Sequence, residues 1–168
     1  MKTLFRFVLP LLLCLGISVQ SHADTNAPRS GENAPGFSLK SLQGDTVTLK
    51  SLRQKGHVLL VFWATECVYC YAHIKDFNAL HDQYHQKGLT VAAINIAGEY
   101  EKEVRTYAKD NGLKYLVLAD RLNNIDVADA YKVVGTPTLT LISPEGKVLY
   151  YGYDLEPIKQ QLQKRIKS

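Results

Sequence analysis

Two cysteines separated by two residues form the clearest chemical motif of the chain. Cys67 and Cys70 lie in the stretch WATECVYC, after the apolar run HVLLVF and before a long stretch with helical spacing. Cysteines at this spacing can hold a metal, close a structural disulfide or exchange disulfides with other molecules. The elements around the pair indicate which of these chemistries it serves.

The predicted location of the pair favours thiol–disulfide exchange. Right-handed crossovers between parallel strands place Cys67 at the carboxyl end of a central strand and at the amino end of a helix. The helix dipole and unpaired amides at such a position stabilise a thiolate, so we expect the pKa of the Cys67 thiol below its ordinary value of about 8.5. Cys70, one turn deeper, is placed to attack a mixed disulfide formed at Cys67.

The motif alone leaves a structural disulfide and a metal site open. A disulfide closing a four-residue loop constrains the unfolded chain by only about 2 kcal/mol. A structural zinc site needs four ligands, and the segment CVYCYAH offers Cys67, Cys70 and His73 with no second cluster downstream. His81 and His85, one turn apart, are interpreted as a solvated pair. We therefore predict neither a metal site nor a cofactor.

The first 23 residues have the pattern of a secretory signal peptide. Lys2 and Arg6 precede an apolar stretch, and Ser21 and Ala23 supply small side chains before a cleavage point after Ala23. An uncleaved membrane anchor is the alternative, but the apolar stretch is short for a span of about 20 residues. We therefore predict a periplasmic protein.

Cleavage simplifies the composition of the chain. Removing 23 of the 168 residues leaves 145, enough for one domain. The signal holds two of the 20 basic residues and none of the 16 acidic ones, so the net charge falls from +4 to +2. Without a lysine or arginine cluster, this balance argues against a nucleic-acid partner. Of the three cysteines, Cys67 and Cys70 remain, in a compartment where disulfides persist.

The mature chain reads as strands alternating with helices. Residues 24–36 are interpreted as a flexible lead-in, and residues 37–168 as one domain. The alternation predicts an α/β fold, with helices on both faces of a central sheet and a final hairpin as an antiparallel edge. The predicted strands are 37–42, 46–52, 57–64, 89–96, 114–120, 138–143 and 147–153, and the predicted helices are 67–88, 99–112, 123–133 and 155–166.

Two segments together resemble the thioredoxin superfamily, specifically the exported TlpA/ResA/DsbE-like thiol–disulfide oxidoreductases. VFWATECVYC is followed by GTPTLTLISPEGKV, and the likeness runs from Asn33 to Ile166. The resemblance implies a thioredoxin-like fold with an added N-terminal β-hairpin and a strand–helix insertion over residues 89–112. It also implies a cis bond before Pro137, next to the cysteines, and a Thr136 backbone offered to an extended substrate peptide.

Two residues of the motif depart from the family pattern where a client would bind. Glu66 replaces a common tryptophan; its carboxylate opposes thiolate formation, unless it is a solvent-facing acid of little influence. Tyr69 replaces a common proline, as in certain disulfide isomerases, and makes a more oxidising potential conceivable. We expect Tyr69 and Glu66 to contact clients, and we place Trp63 beneath this surface as part of the substrate site.

The group that accepts a proton from the buried thiol departs from the pattern too. Val61 occupies a position where thioredoxins carry a buried acid. His73 occupies the place of a carboxylate found in ResA-like proteins, three residues after the second cysteine. Because His73 shares a helix face with Cys70, we predict that it helps Cys70 lose its proton. The alternative is a surface histidine.

The resemblance implies a mechanism and partners. Reduced Cys67 attacks a disulfide in an exported client, and Cys70 then releases the client by closing the Cys67–Cys70 disulfide. A membrane-embedded electron donor or acceptor would recycle the pair, and apocytochrome c is the typical client in the reducing direction. With no room for a dimerisation region before Phe37, we expect a monomer.

Other functions remain as alternatives. The same chemistry run backward makes a disulfide oxidase or isomerase. A Sco-like copper carrier needs a histidine far downstream, and none follows His85. A redox-inactive binding module would not need the intact Cys67, Cys70 and Pro137. A peroxidase of the peroxiredoxin type would need the pattern P-x-x-x-T-x-x-C, which does not occur around Cys67.

Overall fold

A computed structural model describes residues 27–166 of the chain. The predicted signal peptide and the first residues of the lead-in lie outside this range. None of the helices within it is long and apolar enough to cross a bilayer.

Seven strands and six α-helices alternate along the described residues. The strands are β1 (Ser38–Lys40), β2 (Thr46–Thr48), β3 (His57–Trp63), β4 (Leu89–Asn95), β5 (Leu116–Leu118), β6 (Thr138–Ile142) and β7 (Val148–Gly152). The helices are α1 (Leu49–Arg53), α2 (Val68–Ala72), α3 (Ile74–Tyr84), α4 (Glu101–Asp110), α5 (Arg121–Ala130) and α6 (Glu156–Arg165). A single 3-10 turn, His85–Lys87, follows α3.

Five strands form one mixed sheet in the order β5-β4-β3-β6-β7. Strands β3, β4 and β5 run parallel, whereas β6 is antiparallel to β3 and β7 is antiparallel to β6. Strands β1 and β2 pair separately as a two-stranded antiparallel sheet. The predicted mixed sheet, antiparallel edge and N-terminal hairpin are confirmed.

The central strand β3 is buried on both faces because helices cover each side of the sheet. Successive side chains of a strand point to opposite faces. Leu59, Val61 and Trp63 pack in a core cluster with α3, α4 and α6. Val58, Leu60 and Phe62 pack in a second cluster with α1 and α5. Trp63, at the end of β3, therefore lies on the same side of the sheet as Cys70, a member of the first cluster.

The segment TVTLKSL is half strand and half helix, not the continuous strand expected over residues 46–52. Strand β2 ends at Thr48, whose hydroxyl accepts a hydrogen bond from the Ser51 amide at 3.0 Å. The Ser51 hydroxyl in turn accepts from the Thr48 amide at 3.1 Å. This reciprocal cap starts helix α1. Leu49–Arg53 is therefore helical, although its residues continue the pattern of a strand.

The helix expected over residues 67–88 is divided at His73. The His73 backbone, with φ −95° and ψ 3°, ends α2 and precedes α3. Ile74, Phe77, Leu80 and Tyr84 are the buried residues of α3, as their spacing predicts. Gly88, with φ +90°, ends the following turn in a conformation that glycine adopts without strain.

The N-terminal segment is attached to both edges of the five-stranded sheet. The Gly31 amide donates to Val148 O at 2.8 Å and the Ala34 amide donates to Gly146 O at 2.9 Å, beside β7. At the other edge, the Leu42 amide donates to Val117 O at 3.1 Å. Part of the predicted lead-in, from Gly31 to Ala34, is therefore bound to the domain.

Candidate active site

Cys67 and Cys70 meet at the start of helix α2. Cys67 follows β3 as the N-cap of this helix, and its sulfur accepts a hydrogen bond from the Cys70 amide at 3.1 Å. The two residues form a disulfide, with their Cα atoms 5.2 Å apart. Cys67 is half-buried, whereas Cys70 is only 4% exposed. The accessible sulfur is thus the predicted attacking one, and the covered sulfur is the predicted resolving one.

Pro137 lies at the same edge of the sheet as the cysteines. In the antiparallel register of β3 and β6, Phe62 pairs with Thr138, so the residue before Thr138 lies level with the end of β3. The bond between Thr136 and Pro137 is cis, as the resemblance implies. Pro137 is buried and Thr136 is half-buried. The substrate role of both residues remains a prediction.

Exposed apolar side chains follow Cys67 and precede Pro137 along the chain. Tyr69 is 72% exposed and Val68 is 76% exposed, both in the first turn of α2. Val134, on the loop that leads to Pro137, is 86% exposed. We call Val68, Tyr69 and Val134 the active-site rim. The two valines were not singled out from the sequence, because a valine outside a strand carries no chemical signal by itself.

Trp63 lies beneath the site and offers almost no surface to a client. Its side chain is 3% exposed, and its ring lies 5.3 Å from the Tyr107 ring between centroids. Glu66, by contrast, is exposed directly before Cys67. Of the two residues, Glu66 is therefore the one placed to contact a client.

The His73 side chain, at the junction between α2 and α3, contacts the carboxylate of Asp76. Its Nδ1 lies 2.9 Å from Asp76 Oδ2, and the Lys159 amine of α6 lies 3.7 Å from the other oxygen of that carboxylate. If Nδ1–H donates to Asp76, Nε2 is left as a proton acceptor. His73 also lines an open pocket of about 410 Å³ between α3 and α6.

Replacing His73 with Gln tests its predicted role in activating Cys70. If His73 accepts the proton of Cys70, the variant should shift the pH dependence of the Cys70 step and slow that step at neutral pH. The measurement is the rate of release of an aromatic thiol from its mixed disulfide with Cys67. His81→Gln, on α3 but away from the cysteines, is the control. An unchanged pH dependence in His73→Gln would refute the role.

A carboxylate from a distant loop holds the residues before Cys67. The Thr65 amide lies 3.3 Å from both carboxylate oxygens of Glu99, and the Thr65 hydroxyl also donates to Glu99. The side-chain amide of Asn95, at the end of β4, donates to the same carboxylate. This network ties the active-site loop to the neighbouring strand. Sequence reasoning missed it because Thr65 and Glu99 are 34 residues apart.

Neither a metal-ligand cluster nor a nearby third ligand accompanies the cysteines within residues 27–166. No group of three or more His, Cys, Asp or Glu side chains there is arranged to hold an ion. The His81 and His85 rings stack at 4.7 Å between centroids, and the Nδ1 of His85 lies 3.0 Å from the carbonyl of His81.

The sequence matches a family profile over most of the domain. The AhpC/TSA family profile matches residues 30–151. The thiol-disulfide oxidoreductase ResA of Bacillus cereus is 33% identical over 152 residues, which cover 88% of this chain and 86% of the relative.

Solved structures of similar proteins have the same fold. A putative thiol:disulfide interchange protein DsbE from Chlorobium tepidum superposes with a TM-score of 0.74 at 28% identity, covering 82% of this chain and 98% of that structure. The thioredoxin domain of a thiol-disulfide oxidoreductase from Bacteroides vulgatus reaches a TM-score of 0.76 at 20% identity, covering 84% of this chain and all of that domain. The thioredoxin-like fold expected from the sequence is therefore confirmed.

Proposed function

We propose that this chain, which belongs to the AhpC/TSA family and is a ResA-like thiol–disulfide oxidoreductase, acts outside the cytoplasm as a reductant of disulfides in exported client proteins. Reduced Cys67 attacks the client disulfide, and Cys70 then closes the Cys67–Cys70 disulfide and releases the reduced client. The exported setting follows from the signal-like residues 1–23, and the direction follows from the charges around Cys67.

The charge environment of Cys67 supports the reducing direction. A couple becomes a stronger oxidant when its reduced form, which carries the thiolate, is stabilised. The segment 58–74 contains no lysine or arginine. The exposed carboxylate of Glu66 precedes Cys67 directly, and Glu99 is bound to Thr65, two residues before Cys67. Negative charge opposes the thiolate, so the disulfide form is relatively favoured and the reduced form readily gives up electrons.

The reduction potential of the Cys67–Cys70 couple tests the direction of electron flow. Equilibration with glutathione, followed by the fluorescence of the single tryptophan, Trp63, gives this potential. We expect a value near the thioredoxin potential of about −270 mV. A value between about −180 and −120 mV would support the alternative oxidase or isomerase function. Tyr69 and the hydrogen bond from the Cys70 amide to the Cys67 sulfur favour this alternative.

A charge reversal at Glu66 tests the electrostatic basis of the direction. Glu66→Lys should raise the potential by about 10–20 mV, the equivalent of a surface charge interaction of up to about 1 kcal/mol. Glu145→Lys makes the same change of charge at the turn between β6 and β7, at the opposite end of the sheet. It should leave the potential unchanged. Equal shifts in both variants would mean that net charge, not the neighbourhood of Cys67, sets the value.

The mass of the protein recovered from the periplasm tests export. Cleavage after Ala23 predicts a mature chain that begins at Asp24 and lacks the first 23 residues. Full-length protein in the membrane fraction would instead support the uncleaved anchor. An Ala23→Asp variant, with a charged side chain at the cleavage point, should accumulate as the uncleaved precursor.

The proposed partners are exported proteins with accessible cysteines and a membrane-embedded electron donor. The active-site rim supports a polypeptide client, because it offers three exposed apolar side chains, and the Thr136 backbone can pair with an extended chain. An apocytochrome c, with the cysteines of its haem site, is one such client, so a cytochrome c maturation role belongs to this proposal. We propose that the protein works as a monomer.

A further inference from the structure

A small internal cavity adjoins the resolving cysteine. The volume open to a water molecule is about 10 Å³, which is close to the lower limit for holding one water. Cys70 and Trp63 line it together with Tyr107 of α4. Its remaining lining residues are Val61, Ile74, Phe77, Leu113 and Tyr115. His73 is not among them, so the cavity is separate from the outer pocket at α6.

Two polar atoms of the lining residues are buried without a partner. The Trp63 Nε1 donor and the Tyr107 hydroxyl oxygen have no hydrogen-bond partner within the described part of the chain. Leaving such groups unpaired costs about 1–3 kcal/mol each, and in native proteins an ordered water commonly satisfies them. The ring centroids lie 5.3 Å apart, so the two unpaired groups belong to side chains that pack together beside the cavity.

Tyr107 also separates this cavity from solvent. The same side chain lines an open groove of about 480 Å³ on the surface of α4, with Thr65 and Asp110 among its other lining residues. Burial raises the pKa of the Tyr107 hydroxyl, and Tyr71 and Glu99 raise it further. The hydroxyl therefore stays protonated at neutral pH and can pass a proton only by accepting one as it releases another.

We propose that the cavity holds a water molecule bound to Trp63 Nε1 and Tyr107 Oη, and that Tyr107 positions this water to carry the Cys70 proton towards the open groove. In the resolving step the Cys70 S–H bond breaks and its proton moves to the water, which passes a proton to Tyr107 Oη as that hydroxyl releases its own proton towards the groove. The sulfur electron pair then forms a bond to Cys67 Sγ. The bond from Cys67 Sγ to the departing sulfur breaks, and that sulfur leaves as a thiolate with the bonding electron pair. The step needs no further reactant.

The route through the cavity water takes the place of a buried carboxylate as proton acceptor, which the first core cluster lacks. Val61 occupies the wall of the cavity where a carboxylate would serve, and the side chain is apolar. Several titratable groups face the Tyr107 hydroxyl or its groove and must be considered in any pH profile. They are Tyr71 on α2, Glu99 after β4, Lys102, Glu103 and Asp110 on α4, and Tyr115 before β5.

Single-turnover kinetics of Tyr107→Phe test the relay. The reduced protein is mixed with one equivalent of dithiobis(nitrobenzoate), which releases one coloured thiolate when Cys67 attacks and a second when Cys70 resolves. The variant keeps the ring that packs on Trp63 and removes only the hydroxyl. We expect the second release to slow by about tenfold, a modest share of the effect of general acid–base catalysis, and its pH profile to shift. The first release should stay unchanged.

Two matched variants and one direct observation complete the test. Tyr84→Phe removes a hydroxyl from the same core cluster but away from the cavity, and should leave both releases unchanged. His73→Gln should leave the second release unchanged; a slower second release in His73→Gln but not in Tyr107→Phe would make the outer histidine the acceptor and overturn the proposal. In the wild-type protein, the indole N–H resonance of Trp63 should show a nuclear Overhauser effect to a bound water. Wild-type kinetics in Tyr107→Phe, or an indole without that effect, would overturn the proposal.

Discussion

Replacing Cys67 with Ser is expected to abolish thiol–disulfide exchange, whereas replacing Cys70 with Ser should stop the reaction at the mixed disulfide. The difference follows from accessibility, because Cys67 is half-buried at the helix start and Cys70 is only 4% exposed. A client can reach only the first sulfur. A serine hydroxyl at position 67 forms no disulfide, so the loss there is complete.

Trapping separates these two roles experimentally. Cells that produce Cys70→Ser should yield covalent complexes with client proteins, which run at higher mass on a gel and disappear on reduction. Cys67→Ser should yield none and serves as the matched control. Complexes formed equally by both variants would mean that Cys70 is open to clients, against the burial described above. The trapped proteins would also identify the clients, and haem-binding proteins among them would support a cytochrome c maturation role.

Replacing Phe77 with Ala should lower the free energy of unfolding by about 3–5 kcal/mol. Phe77 is 1% exposed on α3, and its ring meets the Tyr115 ring edge to face at 6.0 Å between centroids. It also lines the cavity beside Cys70. Removing the ring leaves a void between α3 and the sheet that the rigid strand β3 cannot fill.

Urea unfolding of the oxidised protein measures this loss. Leu122→Ala is the control, because Leu122 is 64% exposed on α5 and its truncation should change stability by no more than about 0.5 kcal/mol. The more conservative Phe77→Leu should lose less stability than Phe77→Ala and remain folded. A loss for Phe77→Ala below that for Leu122→Ala would contradict the packing described for the first core cluster.

The parts of the site that were predictable from sequence depend on local patterns. The apolar run of β3, the spacing of buried residues on α3 and the cysteines between them placed Cys67 at a helix start, and this position is correct. The β1–β2 hairpin was predicted from alternation, but α1 was not. Thr48 has the side chain of a strand residue, and only its hydrogen bond with Ser51 reveals that it caps a helix.

The parts that were not predictable depend on contacts between distant residues. From the sequence, Glu99 is one more acid before a polar helix, yet it holds Thr65 from the loop that follows β4. Tyr107 reads as an ordinary position on that helix, and its place beside Trp63 depends on how α4 crosses the sheet. No periodicity in the chain encodes either contact, because the residues involved belong to different elements.

The pairing of the N-terminal segment with both edge strands has a consequence for solubility among unfolded proteins. Its residues 31–34 bond the β7 edge and residues 40–42 bond the β5 edge, so neither outer strand presents a free row of amides and carbonyls there. Exposed strand edges recruit extended chains and seed aggregates. If the protein reduces client disulfides, as we propose, it meets many extended chains. With part of each edge paired to its own backbone, the sheet offers less free edge to those chains.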